Sequence, residues 1–303
     1  MNEILRTRQL LDGGYGQDEL RRLERAGRLR HVRRGAWVRP NEPTEQLTVE
    51  ARHRLLLRAV ALQVLPGAVI SHGSAAILHG LPGWPAALQR VHLTRSRSSG
   101  AKRRSDVEVH GATLPAAHIT MVDGLAVTTL ARTVADLGRT LPFAQAVAAG
   151  DRAAALGLDF GHLEDVLRTM EQWPGVRQAR RVADFIDGRS QSVGESVSRV
   201  VLGEQGLPAP TLQHEIRDPT GRLVACTDFA WVHRRTVGEF DGRIKYGALL
   251  KPGQRPEDVV FAEKLREDAV RDLRWQVVRW TWRDVERPRL LRDRVLRAFD
   301  RAG

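Results

Sequence analysis

The chain has a single cysteine, Cys226, in 303 residues, so it cannot close a disulfide within itself. Lysine is scarce too: there are four, against 48 Lys and Arg together, so nearly all the positive charge is guanidinium. No apolar run approaches the roughly 20 residues that a membrane-spanning helix needs. The start Met1-Asn2-Glu3 lacks the basic opening of a signal peptide, and a cytoplasmic protein is expected. Apolar residues are not in short supply. At 42% hydrophobic the chain can build two or three domains with their own cores, which excludes wholesale disorder.

What is abundant is arginine. Lys+Arg exceed Asp+Glu by 48 to 36, a net charge of +12, and the pI is near 11.1. A polyanion is the natural partner for at least one face, with nucleic acid first among candidates. GC-rich codons would produce the same bias, so where the arginines sit matters more than their total.

Residues 1–45 read as helix, turn, helix and then a bent pair of strands. Ile4, Leu10 and Leu11 fall on a first short helix, Gly13-Gly14-Tyr15-Gly16 breaks it, and Gln17–Ala26 forms a second helix with Leu20 and Leu23 inward. Leu29–Val38 then bends at Gly35 like the wing of a winged helix. Arg21, Arg22, Arg25, Arg28, Arg30, Arg33 and Arg34 gather on that second helix and wing. A recognition helix faces the major groove and a basic wing meets phosphate, so DNA is the expected partner, with an Arg-rich protein-binding adaptor as the alternative.

A Pro40–Thr44 linker leads to a middle α/β region, 46–188. His53–Leu65 has helical apolar spacing, Val69-Ile70 ends a strand before a short helix, and Val91–Thr94 and Val107–His110 alternate as strands. Between them Arg95–Arg104 is a basic loop that either tracks phosphate or is the solvated tip of a hairpin. Val127–Leu137 reads as a helix capped near Thr128 or Thr129. Ser71, His72 and Asp136 invite comparison with a hydrolase, yet no nucleophile elbow accompanies them, and buried capping roles are expected.

The last segment, 189–303, orders its elements as helix, three strands, helix, strand, helix, which makes the expected fold class α/β, or α+β overall. Its densest chemistry is Cys226–Gly242. With the turn near His233 and Arg234, Asp228 lies opposite Glu239, their β-carbons roughly 5 Å apart, and Asp241 shares the face. Like charges so placed call for a bound cation or a charge partner, and a magnesium site for cutting nucleic acid is the reading. The alternative is acids that merely solubilise a sheet end. Lys245, Lys251 and Lys264, three of the four lysines, follow closely, and Lys245 or Lys264 is a candidate to sit beside a scissile phosphate.

Residues 190–300 resemble the PD-(D/E)xK nuclease superfamily, in particular its Vsr-like endonuclease-related domains. The resemblance implies a restriction-endonuclease-like central sheet flanked by helices. It also implies a metal-dependent DNA endonuclease using Mg2+ or Mn2+. Glu195 in Ser192-Val-Gly-Glu195 would be the helix acid, Asp228 the strand Asp and Glu239 the second strand acid. Asp228, Glu239 and Asp241 would hold metal. Asp241 stands where many members carry the motif lysine. The winged helix, with Ser71-His72-Gly-Ser74 and Thr128–Asp136, is similar to the AbiEi family of type IV antitoxins. That similarity implies a non-enzymatic DNA-binding repressor with a toxin protein as partner.

Overall fold

The computed structural model describes residues 3–40, 47–63, 67–96, 102–103, 105–242 and 256–302, the side chains of 102–103 and 256–263 excepted. The fold is α/β, with helices flanking mixed sheets. Contacts divide the chain into two units: residues 1–140 with 158–180, and residues 141–157 with 181–303.

The first unit opens with β1 (Ile4–Arg6), α1 (Thr7–Asp12), α2 (Gln17–Arg25), β2 (Arg30–Arg33) and β3 (Ala36–Val38), a winged helix whose strands lie in the order β1-β3-β2. One position departs from the sequence reading. Ile4 is not helical but sits in β1 opposite Val38, while Leu10 and Leu11 lie on α1 as read. The edge of β3 offers Ile4–Arg6 backbone partners that one more helical turn would not supply. Leu10, Leu20, Leu29 and Trp37 form the core, and Trp37 Nε1 donates to Thr7 Oγ1 at 2.8 Å. Helix α2 carries Asp18 and Glu19 in its first turn and Arg22 and Arg25 in its last, each sign matched to the helix dipole. It ends before Gly27, whose φ of 67° an L-side chain rarely adopts. Gly35, at φ 83°, turns β2 into β3.

Next come α3 (Val49–Ala61), capped by Thr48, then β4 (Val69–Ile70), α4 (His72–Leu78), β5 (Val91–Arg95), β6 (Lys102–Arg103), β7 (Val107–Gly111), β8 (Ile119–Val122), β9 (Leu125–Thr128) and α5 (Leu130–Thr140). Their sheet runs β6-β7-β5-β4-β9-β8. β5 and β7 are parallel, Val91 in register with Val107, so the basic segment between them is not the tip of a two-strand hairpin. Residues 97–101 and 104 of that segment lie outside the described residues. The core joins Leu57, Val60, Ile70, Val91, Leu93 and Val127. Thr129 caps α5, its Oγ1 accepting the Arg132 amide at 3.3 Å. The following helix, α6 (Phe143–Ala155), belongs to the second unit. The chain then returns to the first for α7 (Phe160–Thr169), and the division falls inside α8 (Val176–Phe185).

In the second unit α9 (Val193–Glu204), β10 (Thr211–Arg217), β11 (Leu223–Trp231), β12 (Thr236–Phe240), α10 (Pro256–Asp272), β13 (Gln276–Trp280), α11 (Trp282–Val285) and α12 (Pro288–Ala302) follow in the expected order. The sheet is β10-β11-β12-β13, antiparallel until β13, which α10 returns parallel to β12. Alternation with period two assigns the faces. Phe229, Trp231, Phe240, Val278 and Trp280 pack with Leu202, Leu291, Val295 and Phe299 from α9 and α12. Ala230 and Val237 face the other way, toward Val270 of α10 and Trp275. Two glycines are required by close approach. A β-carbon at Gly238 would lie 2.3 Å from the Trp280 ring, and one at Gly194 would lie 2.0 Å from Phe240. Helix α6 docks on α9, where Arg199 Nη2 meets Asp151 Oδ1 and Oδ2 at 2.8 and 2.9 Å.

Candidate nucleic-acid interface and strand-end site

The winged helix presents most of its expected arginines outward. Arg21, Arg22, Arg25, Arg28 and Arg34 are exposed, whereas Arg30 is half-buried. Arg33 turns inward, its Nε 2.7 Å from Asp106 Oδ2, and so is not offered to a ligand. Arg21 and Arg22 contact Asp18 and Glu19 at 3.4 and 3.5 Å in solvent, pairs weak enough to exchange for phosphate. Arg22 and Arg25 occupy the last turn of α2 and Arg30, Arg33 and Arg34 the wing, while the first turn carries Asp18 and Glu19. That distribution suits phosphate contacts better than base edges.

The expected acids of the second unit come only partly together. Phe229 pairs with Gly238, so the next step of the same register sets Asp228 across from Glu239, as the turn position implied. Asp228 Oδ2 accepts the Phe240 amide at 2.9 Å. Glu239 is gripped on both oxygens: Arg266 Nη2 on Oε1 and Arg279 Nη2 on Oε2, each at 2.9 Å. Arg279 Nε reaches on to Glu267 at 3.1 Å, and Glu267 also pairs with Arg271 at 2.6 Å. The outcome is an alternating ladder, Arg266–Glu239–Arg279–Glu267–Arg271, at the carboxyl ends of the parallel strands. Asp241 is half-buried, and its amide extends the strand pairing to Trp280 O at 2.8 Å. Lys264 is exposed on α10, and Lys245 lies outside the described residues.

Glu195 bonds within its own helix start and to Gln213. It is buried, with Oε1 accepting Ser192 Oγ at 2.8 Å and Oε2 accepting the Gln191 amide at 2.8 Å and Gln213 Nε2 at 3.2 Å. Ser192 Oγ in turn accepts the Glu195 amide at 3.2 Å, so Ser192 caps the start of α9 and Glu195 braces that cap. With Glu239 between two guanidiniums and Glu195 in a cap, these residues as arranged do not fit a Mg2+ or Mn2+ ion. Such an ion needs carboxylate oxygens converging on one point. Among the described residues no three His, Cys, Asp or Glu side chains group to hold a metal. Arg279 was not singled out from sequence. The available signal was its place in the strand after a crossover helix, which puts it in register with Glu239.

Ser71, His72 and Asp136 do meet, inside the first unit. Ser71 is wholly buried and makes no cap bond; its Oγ instead accepts from Thr94 Oγ1 at 2.8 Å and lies 3.0 Å from His72 Nδ1. Burial was expected and capping was not found. Asp136 binds Arg132 Nε at 3.0 Å, while His72 Nδ1 stays 4.0 Å away. His72 stacks on His110, ring centroids 3.7 Å apart, and His110 Nε2 lies 2.9 Å from His92 Nδ1. His92 Nε2 donates to Ala87 O at 3.0 Å. Burial, then the neighbouring histidines and arginines, push the His72 pKa well below the ordinary value. The same burial lifts Asp136, against the pull of Arg132 and Arg139. Ser71 and Asp136 are both sealed from solvent.

Fold and site together define an α/β protein with a winged helix in one unit and a strand-end cluster of acids and arginines in the other. The chain belongs to the family of two Mycobacterium tuberculosis proteins, uncharacterized protein Rv2248 of strain H37Rv and uncharacterized protein MT2308 of strain CDC 1551. It is 30% identical to each over 252 residues, 82% of this chain and 88% of theirs. No established protein-family profile matches. Among solved structures, the RV2827C protein of M. tuberculosis is 18% identical at a TM-score of 0.40, over 71% of this chain and 84% of that one.

Proposed function

We propose that this protein is a duplex-DNA-binding regulator that grips the backbone through its winged helix. One observation carries the reading: five arginines, Arg21, Arg22, Arg25, Arg28 and Arg34, stand exposed on α2 and the wing. A chain of net charge +12 adds long-range attraction to a polyanion. A non-catalytic repressor, including one that pairs with a toxin protein, needs only this face. The test is fluorescence anisotropy on duplex DNA across about 50–200 mM salt, comparing wild type with Arg21, Arg22, Arg25 and Arg28 changed together to Ala. The expected result is salt-sensitive binding in the wild type and a shallower salt slope, by about one per lost phosphate contact, in the variant. Equal binding by both proteins would exclude this face.

Phosphodiester cleavage at the second unit is a second reading, favoured by the apposition of Asp228 and Glu239 at the sheet end. It requires Glu239 to leave Arg266 and Arg279. Supercoiled plasmid incubated with wild type, Asp228→Ala and Glu239→Ala, each with and without Mg2+ or Mn2+, decides it. Nicking lost in both variants supports an endonuclease, and intact plasmid throughout leaves the regulator alone.

A further inference from the structure

We infer that Arg266 and Arg279 form a phosphate-binding clamp in the second unit, and that Glu239 is its built-in occupant. This site is separate from the winged helix and does not depend on the DNA-binding reading. A carboxylate with one guanidinium on each oxygen, both at 2.9 Å, has the geometry in which a phosphate would take two of its oxygens. Arginine suits this because its fork is planar, always charged and weakly hydrated.

The surroundings favour exchange. The Arg266 and Arg279 side chains keep 31% and 30% exposure, so an incoming anion reaches them from solvent, whereas Glu239 retains 15%. The guanidiniums come from different elements, Arg266 from α10 and Arg279 from β13, and meet at the carboxyl ends of the parallel strands β12 and β13. Crevices at such strand ends are where open α/β sheets bind ligands. Arg279 Nε lies 3.1 Å from Glu267 Oε2, while Nη2 meets the clamped carboxylate. The ligand class is a phosphate group, monoester or diester, and its binding displaces Glu239 without covalent chemistry.

Calorimetric titration at low salt of the full-length chain tests this, with inorganic phosphate as one probe and the dinucleotide dTpdT, too short to bridge a winged helix, as the other. Glu239→Gln keeps the shape while removing the competing charge, and phosphate affinity is expected to rise at least tenfold. Adding Arg279→Ala to that variant removes the gain. A gain with inorganic phosphate alone identifies a free phosphate or terminal monoester as the ligand, and a gain with dTpdT as well identifies a backbone phosphodiester. Unchanged anion affinity in Glu239→Gln overturns the clamp, as does loss there of a Mg2+ affinity present in the wild type without any gain for anions. Should Glu239→Gln not fold, the wild-type melting temperature carries the test. It should rise with phosphate relative to chloride at equal ionic strength and lose that rise in Arg266→Met, and equal responses of the two proteins overturn the proposal.

Discussion

Two arginine–carboxylate pairings, one in each unit, have similar contact lengths and opposite accessibility. In the first unit Asp136 and Arg132 are 0% and 1% exposed, and Trp173 lies against the guanidinium at 5.1 Å. In the second, Glu239 meets Arg266 and Arg279 where both arginines remain about a third open. A sealed pair cannot change partners, so its effect is on the stability of a core; an open pair trades its carboxylate for any competing anion. Contact distance does not separate the two cases. The desolvation around the contact does.

The largest expected effect would sharpen this contrast directly. Asp136→Ala strands a buried guanidinium and should cost the first unit about 3–5 kcal/mol, read from urea melts; a loss below about 1 kcal/mol would mean that water reaches Arg132. Acid comes next. His53 is held to a pKa of about 4 by burial, donating from Nδ1 to Leu88 O and accepting from Ser74 Oγ at Nε2. Its folded pKa lies below the unfolded 6.5, so the unfolded chain binds the extra proton. The stability it confers is present above pH 6.5 and drains away as pH falls toward 4, by about 2–3 kcal/mol. His72 acts in the same direction, while Asp136, lifted by burial, offsets part of the loss at the acid end. Melting temperature against pH from 7 to 4 measures the sum.

A third comparison lies within the winged helix. Arg25→Ala should weaken duplex binding by roughly threefold to tenfold and shallow the salt slope by about one, whereas Arg33→Ala, which loses only its Asp106 partner, should leave DNA affinity nearly as it was. Equal losses would mean that Arg33 leaves Asp106 when DNA arrives. The smallest effect belongs to the open pair: Glu239→Gln should cost under about 1 kcal/mol in urea melts, because solvent screens what remains.

Much of this architecture could be read in advance because local periodicity and punctuation decide it. Leu20 and Leu23 mark the inner side of α2, Gly35 marks the wing, and the alternation through Phe229 and Trp231 with a turn at His233-Arg234 sets Asp228 against Glu239. What escaped was long-range. Ile4 became a strand because of Val38, over thirty residues away, and β5 and β7 run parallel because β6 intervenes. Glu239 met Arg279 only because α10 carries the chain back in parallel register, and no local pattern encodes which charge will cross that gap. Glu195 was legible as an acid at a helix start, yet Ser192-x-x-Glu195 satisfies a cap and a catalytic motif equally, and only its bonds to Ser192, Gln191 and Gln213 distinguish them.

Helix α6 lies in mid-chain and yet is counted with residues 181–303, while α7 after it returns to the first unit. Neither unit is therefore one continuous stretch of chain. A fragment starting at residue 189 would leave Arg199 without Asp151 and uncover the face that Ala146 and Val147 close over Val200. Expression trials of the second unit should carry residues 141–157 or expect an insoluble product.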